Sequence, residues 1–566
     1  MKTAYLCLAA AVGGVPAASA QVAGPAASVP ATSSPLQGNA PGAGGALIID
    51  RGRVDRQPVA TPDAGPPSSP RGHVEAAGAV SSSTARLRKV RVEGSHAPLR
   101  ILDRATRRFI GHPLDADTVK AIAGAISTAY EKGDVALYTV VVPQQDLDNG
   151  LLTIRVVEGY IDDVMITGDT DGRDMSLVRG YAAKLVAERP LRRQVLERYL
   201  SLIRDIPGLK VDVKLLNLNA PGAVRLVLDV HPDDVEFNLS INNRGTANLG
   251  RVQVQPSLSF NGLLKQGDQT SVTVALPTEI KRFQYYSISH STPLGHEGLR
   301  LGLNAGYLRT RPEGYGYVIK GKAKSAGATL SYPLRRSYHD NVYVSLGLDG
   351  LDSDNAAFGQ QIASDHTRAV RAAASWSHAT ERSFASASLT ASKGLDILDA
   401  HADPRLTQLG FFKINGQIGY NQMIGKQWVV RLSATGQWSE DRLPASEFFS
   451  LGGEPVGRGF PYAYVTADRG YGGSAEVAWL AESLWPSMLK GSEIYGFVDG
   501  GRARLSPRFS GLLPAQHYRL ASAGGGVRLN FGKKTIVGLE AAKPVKRPYQ
   551  MTSNDWRFTI SWRSIR

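Results

Sequence analysis

The sequence predicts an all-β, membrane-spanning barrel of about 16 antiparallel strands, preceded by two small α+β modules of order β-α-α-β-β. Three observations predict it. From about Val235 onward, apolar and polar residues alternate with period two. Residues 85–232 carry a weak internal repeat of about 70 residues that mixes helical and strand-like spacing. An export leader opens the chain, and no later stretch approaches the roughly 18 consecutive apolar residues of a spanning helix. Export without a helical anchor leaves a soluble protein or a β-barrel. A soluble β-sandwich ordinarily stops near about 200–250 residues, whereas the alternation here continues for about 330.

Met1–Ala20 has a basic start, a short apolar core and Ala18-Ser19-Ala20 before Gln21. This is a secretory signal peptide with a small-residue cleavage site, too short to span a bilayer. The only cysteine, Cys7, lies inside it, so the exported chain is expected to carry neither a disulfide nor a thiolate site. Residues 21–84 are rich in Ala, Pro, Gly and Ser and read as a flexible segment, because that composition buries too little apolar area to order itself. Ala46–Gln57 interrupts it as a short strand or docking segment.

The first module, residues 85–159, opens on the strand-like run Leu87–Gly94. A helix is expected near Leu99–Ile110 and another from Asp117, placed as its N-cap, with Val119, Ile122, Ala123, Ile126 and Tyr130 on one face. Strands Leu137–Val142 and Leu151–Glu158 follow, joined by Gln144–Gly150. The second module, residues 160–232, repeats the order with strand Tyr160–Thr167, helix Asp174–Leu185 and a helix from Leu191 broken by Pro207-Gly208. Strands Leu209–Leu216 and Val224–Val230 complete it. Each module makes a three-stranded sheet whose edge is open to another strand.

Residues 233–566 form the barrel. In Val235–Asn242, Val235, Phe237, Leu239 and Ile241 alternate with Glu236, Asn238, Ser240 and Asn242, one set for each face. Trp556, Phe558, Ile560 and Trp562 share a face with aromatics at both ends, which suits lipid contact with rings at the two interfaces. About 330 residues at roughly 20 per strand and loop give about 16 strands, an even number. The polar run around residues 350–360 is assigned to a loop between strands.

Within residues 450–470, Gly452, Gly453 and Gly457 precede a lone Arg458, followed by Gly459, Phe460 and Pro461. Glycine opens backbone shapes closed to other residues and proline ends strand pairing, so this is a shaped loop presenting one guanidinium. Further on, Phe497-Val498-Asp499-Gly500-Gly501 sets a carboxylate in an apolar, strand-like run. A carboxylate accepts a guanidinium fork bidentately, so Arg458 and Asp499 are expected to pair, although an arbitrary loop arginine is ordinarily solvated.

Two such modules ahead of a barrel, with VVVPQQDLDNGLLTIRVVEGYIDDV at 140–164, VGRGF at 456–460 and the F-x-D-x-G pattern of Phe497, Asp499 and Gly501, resemble a known family. It is the two-partner secretion outer-membrane transporter family (TpsB, ShlB/FhaC/HecB-like), within the outer-membrane assembly-factor superfamily whose periplasmic modules are called POTRA domains. The resemblance runs from about residue 86 to the end. It implies that the loop bearing Val456, Gly457, Arg458, Gly459 and Phe460 folds back into the lumen, where Arg458 reaches Asp499 on the inner wall beside Phe497 and Gly501. In a wet lumen that ion pair would be worth roughly 0–1 kcal/mol. The resemblance further implies secretion of a large unfolded partner, a haemolysin- or adhesin-like exoprotein, from periplasm to cell surface through the barrel and without nucleotide. The POTRA domains would hold the extended partner at a sheet edge, at Val140, Val141, Val142, Pro143 and Gln144. Outer-membrane lipid, the barrel-insertion machinery and periplasmic chaperones are the other implied partners. Possession of only two modules favours secretion over the alternative, an assembly factor that inserts other membrane proteins. The chain departs from the family pattern in having Gly457 where Val usually precedes the arginine, and in following Trp562 with Arg563-Ser564-Ile565-Arg566 where many barrels end on an aromatic. Ala46–Gln57 is too short and too poorly patterned for the pore-plugging helix of some members.

Other classes are less well supported. The formal charge is +15, but Lys and Arg are spread along the chain without base-stacking aromatic clusters, so nucleic acid is not expected as a partner. The 11 histidines are scattered, with no HExxH and no nucleophile elbow. No catalytic residue, metal site or cofactor is expected, and an exported enzyme is the remote alternative. Gly472-Gly473 is assigned to a barrel turn, and Asp162-Asp163 and Asp233-Asp234 to solvated loops. A passive porin would have no need of docking modules.

Overall fold

The computed structural model describes residues 73–76 and 85–565, apart from 314–318, 359, 482–483, 533 and 551. The signal peptide and Ala46–Gln57 lie outside the described residues. The chain divides into two units, Gly65–Pro232 and a second that holds Asp233–Arg566.

In the first unit, β1 (His73–Ala76), β2 (Lys89–Glu93), α1 (Leu99–Thr106), α2 (Ala116–Glu131), β3 (Tyr138–Val142) and β4 (Leu151–Glu158) make one module. The other consists of β5 (Tyr160–Gly168), α3 (Ser176–Val186), α4 (Arg193–Arg204), β6 (Leu209–Asn217) and β7 (Ala223–Pro232). In both, the last strand is central: β4 pairs parallel with β2 and antiparallel with β3, and β7 pairs parallel with β5 and antiparallel with β6. The helical stripe does what its period predicts. Val119, Ile122, Ala123, Ile126 and Tyr130 of α2 are buried in one cluster with Val140, Val142, Leu152, Ile154 and Val156 of the sheet.

The N-cap of α2 is Asp115 rather than Asp117. The Thr118 amide donates to the Asp115 carboxylate at 2.8 Å, and this backbone bond holds the carboxyl below its ordinary range. Asp117 instead lies in the first turn, where its charge meets the positive end of the helix. Asp162 and Asp163 are strand residues of β5, paired with Arg189 and Arg225, and not parts of a loop.

The β3 edge that the sequence left open is occupied. β1 lies parallel to β3, with His73 opposite Thr139, Val74 opposite Val140, Glu75 opposite Val141 and Ala76 opposite Val142. The first sheet therefore has four strands, in order β1-β3-β4-β2, and one of them lies in the part of residues 21–84, outside Ala46–Gln57, that was read as flexible. Four paired residues have no periodicity to read, so composition alone governed the expectation.

The second unit is a closed barrel of sixteen antiparallel strands. They are β8 (Val235–Asn242), β9 (Gln253–Asn261), β10 (Gln269–Pro277), β11 (Phe283–Leu294), β12 (Leu299–Thr310), β13 (Ile319–Arg336), β14 (Asp340–Ala357), β15 (Gln360–Ala379), β16 (Ser383–Leu395), β17 (Phe412–Ile424) and β18 (Trp428–Trp438). After a hairpin of β19 (Phe449–Leu451) and β20 (Val465–Ala467) come β21 (Arg469–Trp479), β22 (Glu493–Leu505), β23 (Gln516–Phe531), β24 (Thr535–Lys546) and β25 (Arg557–Ile565). β25 closes the cylinder on β8, from Ser561 opposite Asn242 to Ile565 opposite Asn238.

β18 illustrates how the alternation builds the wall. Trp428, Leu432 and Trp438 are exposed on the lipid face, while Val429, Arg431 and Gln437 are buried on the inner face. At one end of the strand Trp428 lies beside Trp479, and at the other Trp438 meets Phe412, so aromatic rings frame an apolar band about 25 Å tall. Trp556, Phe558 and Ile560 are likewise exposed. Residues 350–357, expected as loop, continue β14, whose Asp352 and Asp354 stand opposite Lys324 and Lys322 of β13. From Asp352 to Asn355 both faces are polar, so the alternation that marks a strand is missing there. Gly472 and Gly473 sit inside β21 rather than in a turn.

Candidate functional site

Between β18 and β21 the chain leaves the wall for residues 439–468 and folds back into the lumen. Its hairpin, β19 with β20, pairs only with itself, and no wall strand extends into it. The loop that carries it contacts inner-face residues along one continuous arc of the wall, from β15, β17 and β18 through β21, β22 and β23 to β24, and so lies inside the barrel.

Arg458, 7% exposed, lies against the β21–β24 part of that wall. Its Nη1 donates to Glu476 Oε2 at 2.9 Å and Glu540 Oε2 at 3.2 Å, and Nη2 donates to Ser474 Oγ at 3.4 Å. The guanidinium carbon stands 4.1 Å from the centre of the Phe497 ring, a cation–π contact. The expected pairing of the Arg458 fork with Asp499 is therefore corrected. Asp499 holds the loop's backbone instead: the Gly457 amide donates to Oδ1 at 2.8 Å and the Arg458 amide to Oδ2 at 3.1 Å. The Ser522 hydroxyl also donates to Asp499, at 2.6 Å, and accepts the Gly459 amide at 3.1 Å. A carboxylate accepting several N–H and O–H donors satisfies loop amides that would otherwise be buried unpaired.

The glycines follow from the same closeness. Gly457 has φ +97°, and a Cβ there would stand 2.9 Å from the backbone of Gly452. On the wall, a Cβ at Gly472 would meet the Val456 side chain at 2.8 Å, and one at Gly501 would meet Leu451 at 2.8 Å. Those two wall glycines form the groove into which the loop's apolar side chains fit. Phe460, fully buried, clusters there with Phe449, Leu451, Val456, Val465, Ala503 and Leu520. In the F-x-D-x-G pattern, Phe497 thus faces the guanidinium, Asp499 holds the loop backbone and Gly501 leaves space.

Arg458 joins a larger buried network. Glu476 also accepts from Arg431 at 2.6 Å and Arg528 at 2.7 Å, and both arginines reach Glu493 at 2.6 Å. The wet lumen assumed from sequence is corrected here, because Arg458, Glu476 and Glu540 are each more than nine-tenths buried by protein. At the loop's base Glu447, with no exposed surface, accepts from Arg371 at 2.7 Å and Lys413 at 2.6 Å. Asp468 closes the loop's far end, accepting the Leu443 amide at 2.8 Å and Arg508 Nη2 at 2.8 Å. Arg244, in the segment after β8, pairs with Glu454.

Gly457→Val, which would supply the usual family residue before the arginine, is expected to reduce secretion of the partner strongly. A β-branched side chain is strained at φ +97° and would strike backbone rather than a movable side chain. Partner protein in the medium, compared at equal barrel levels, measures the effect.

The profile of the haemolysin secretion/activation protein family ShlB/FhaC/HecB matches residues 222–529. The chain belongs to that family. The ShlB-type POTRA domain profile matches residues 85–159. Relatives include the heme/hemopexin transporter protein HuxB of Haemophilus influenzae (strain 86-028NP), 19% identical over 78% of this chain and 79% of HuxB. The outer membrane transporter CdiB of Escherichia coli O6:K15:H31 is 24% identical over 68% of this chain and 66% of its own. Among solved structures, CdiB from Escherichia coli superposes with a TM-score of 0.70 at 18% identity, over 85% of this chain and 90% of that one. The protein is a two-partner secretion transporter of the outer membrane with periplasmic POTRA domains, and its general role is secretion of a partner protein.

The sequence reading missed Glu447, Glu476, Glu540, Arg371, Arg431, Arg528 and Asp468. A usable signal existed for the strand residues among them: each is a charge at an inner-face position of an alternating strand, as Asp499 is.

Proposed function

We propose that this transporter moves one large haemolysin- or adhesin-like exoprotein, in extended form, from the periplasm through the barrel to the cell surface when the lumen hairpin is displaced. The observation that carries the proposal is the hairpin's independence of the wall ladder. It is fastened by ion pairs, hydrogen bonds and one apolar cluster, all of which can be released without breaking a wall strand pair. The VGRGF residues Val456 to Phe460 would be the displaceable latch, and Phe497, Asp499 and Gly501 its seat.

The partner would first be held at the β3 edge, from Val140, Val141 and Val142 on to Pro143 and Gln144. β1 supports this by occupying that edge as an added strand. A net contribution of about 0.5–1.5 kcal/mol per backbone hydrogen bond makes a four-residue strand replaceable by a longer one. Val140 and Val142 themselves are buried in the module core, so the edge would be read through its backbone.

Deleting the transporter is expected to remove one large protein from the surface and medium; an unchanged outside fraction overturns the proposal. Deleting His73–Ala76 is expected to increase partner capture by a photocrosslinker placed at Val141. Equal capture with and without those residues would mean that β1 does not compete for the edge.

A further inference from the structure

We propose that His366, His401 and Asp399 bind a divalent cation of borderline softness, Zn2+ foremost, on the outward end of the barrel. The strands place these groups above the lipid. On β14 the exposed apolar residues Leu346 and Leu348 are succeeded by Asp352 and Asp354, which stand opposite His366 and Ser364 of β15 on the same face. The segment between β16 and β17 then folds back, so that His366 and His401 exchange both backbone hydrogen bonds, at 2.7 and 3.0 Å. In an antiparallel pair of that kind the two side chains lie directly opposite each other on one face. Their ring centres are 3.9 Å apart.

On each histidine one ring nitrogen has no hydrogen-bond donor directed at it. His401 Nδ1 lies 3.2 Å from the carbonyl oxygen of Asp399, which can only accept, so Nδ1 carries the proton and Nε2 the lone pair. The Ser364 hydroxyl lies 3.0 Å from Nε2, but its single proton is already directed to Asp354 at 2.7 Å. His366 Nδ1 is buried without a hydrogen-bond partner. Carboxylates of Asp352 and Asp399 stand 3.7 Å from that nitrogen, close enough for charge and too far for a hydrogen bond. Arg368 neutralises Asp352, leaving Asp399 as the anionic ligand.

One donor atom from each of His366, His401 and Asp399 lies within 4.8 Å of the others. Ligands held about 2.0–2.2 Å from a tetrahedral Zn2+ stand roughly 3.3–3.6 Å apart, so side-chain rotations that move the donor atoms by about an ångström close the site. Two imidazoles and a carboxylate, with one imidazole oriented by a carbonyl, suit Zn2+ better than the oxygen-seeking Mg2+ or Ca2+. A bound ion would fasten the β16–β17 segment to β15 at the mouth through which cargo leaves.

The test is calorimetric titration of Zn2+ into the chelator-treated full-length protein in detergent, with Co2+ as a spectroscopic probe. One site is expected in the wild type, with a Co2+ visible band of low coordination number. His401→Ala and Asp399→Asn should each weaken it at least about tenfold, with the heat-modifiable migration of the barrel unchanged. The double variant His366→Ala/His401→Ala should abolish the Co2+ band. Equal titrations of wild type and double variant, or no Co2+ band in the wild type, would overturn the proposal by reducing binding to scattered surface histidines.

Discussion

Arg458→Ala is expected to abolish secretion of the partner while the barrel still inserts. Among the described residues the side chain is the only loop cation in the network of Glu476, Glu493, Glu540, Arg431 and Arg528. Truncation leaves Glu476 with Arg431 and Arg528, but leaves Glu540 with the Tyr495 hydroxyl at 2.9 Å as its remaining hydrogen-bond donor within the network. Removing one partner of a buried ion pair costs about 3–5 kcal/mol, and the cost here lies toward the lower figure because Glu476 keeps two cations. The Asp499 bonds to the loop backbone survive, so the hairpin stays in the lumen but loses its seat on Phe497. Secreted partner, measured at equal levels of heat-modifiable barrel, should fall below detection; normal secretion would remove Arg458 from the latch. Exchanging Arg458 and Asp499 is not expected to restore activity, because Asp499 accepts backbone N–H groups that an arginine cannot serve.

Glu447→Ala is expected to open the resting pore. Glu447 accepts from Arg371 and Lys413, on β15 and β17, and has no exposed surface. Truncation would leave Lys413, 1% exposed, as a buried charge without that carboxylate, again at about 3–5 kcal/mol. Arg371 keeps Asp349 at 2.7 Å, which concentrates the damage on the hairpin's base rather than on the wall. The expected outcome is a higher single-channel conductance in planar bilayers and greater sensitivity of cells to a large antibiotic. Glu447→Gln, which keeps the shape and one acceptor, should give a smaller rise. Unchanged conductance in both variants would show that the base anchor does not control closure.

Much of this architecture was legible because its signals are local. Alternation places Trp428 and Leu432 in lipid and Val429 and Arg431 inside, whatever the strand's neighbours are. The stripe of Val119, Ile122 and Ile126 buries one face of α2 in the same way. The reading failed where chemistry depends on which distant residues meet. Asp499 appeared to be the natural counter-ion of Arg458, yet the wall register directs it to amides and sends the guanidinium to Glu476 and Glu540. His366 and His401 gave no motif, because a fold-back of the chain and not their spacing sets them opposite each other.

By itself the sequence determined the order of the modules, the approximate strand number of the barrel and the lipid-facing side of its strands, while the return of residues 450–470 to the lumen was implied by family resemblance. The first three follow from residue periodicity, which acts over a few residues, and from the length of chain that carries it. Only the tertiary structure decided which carboxylates hold the loop, that the β3 edge is already paired and that the latch's charges are buried by protein. Those depend on register between strands far apart in the chain and on how much protein covers each charge, quantities that no short stretch of residues contains.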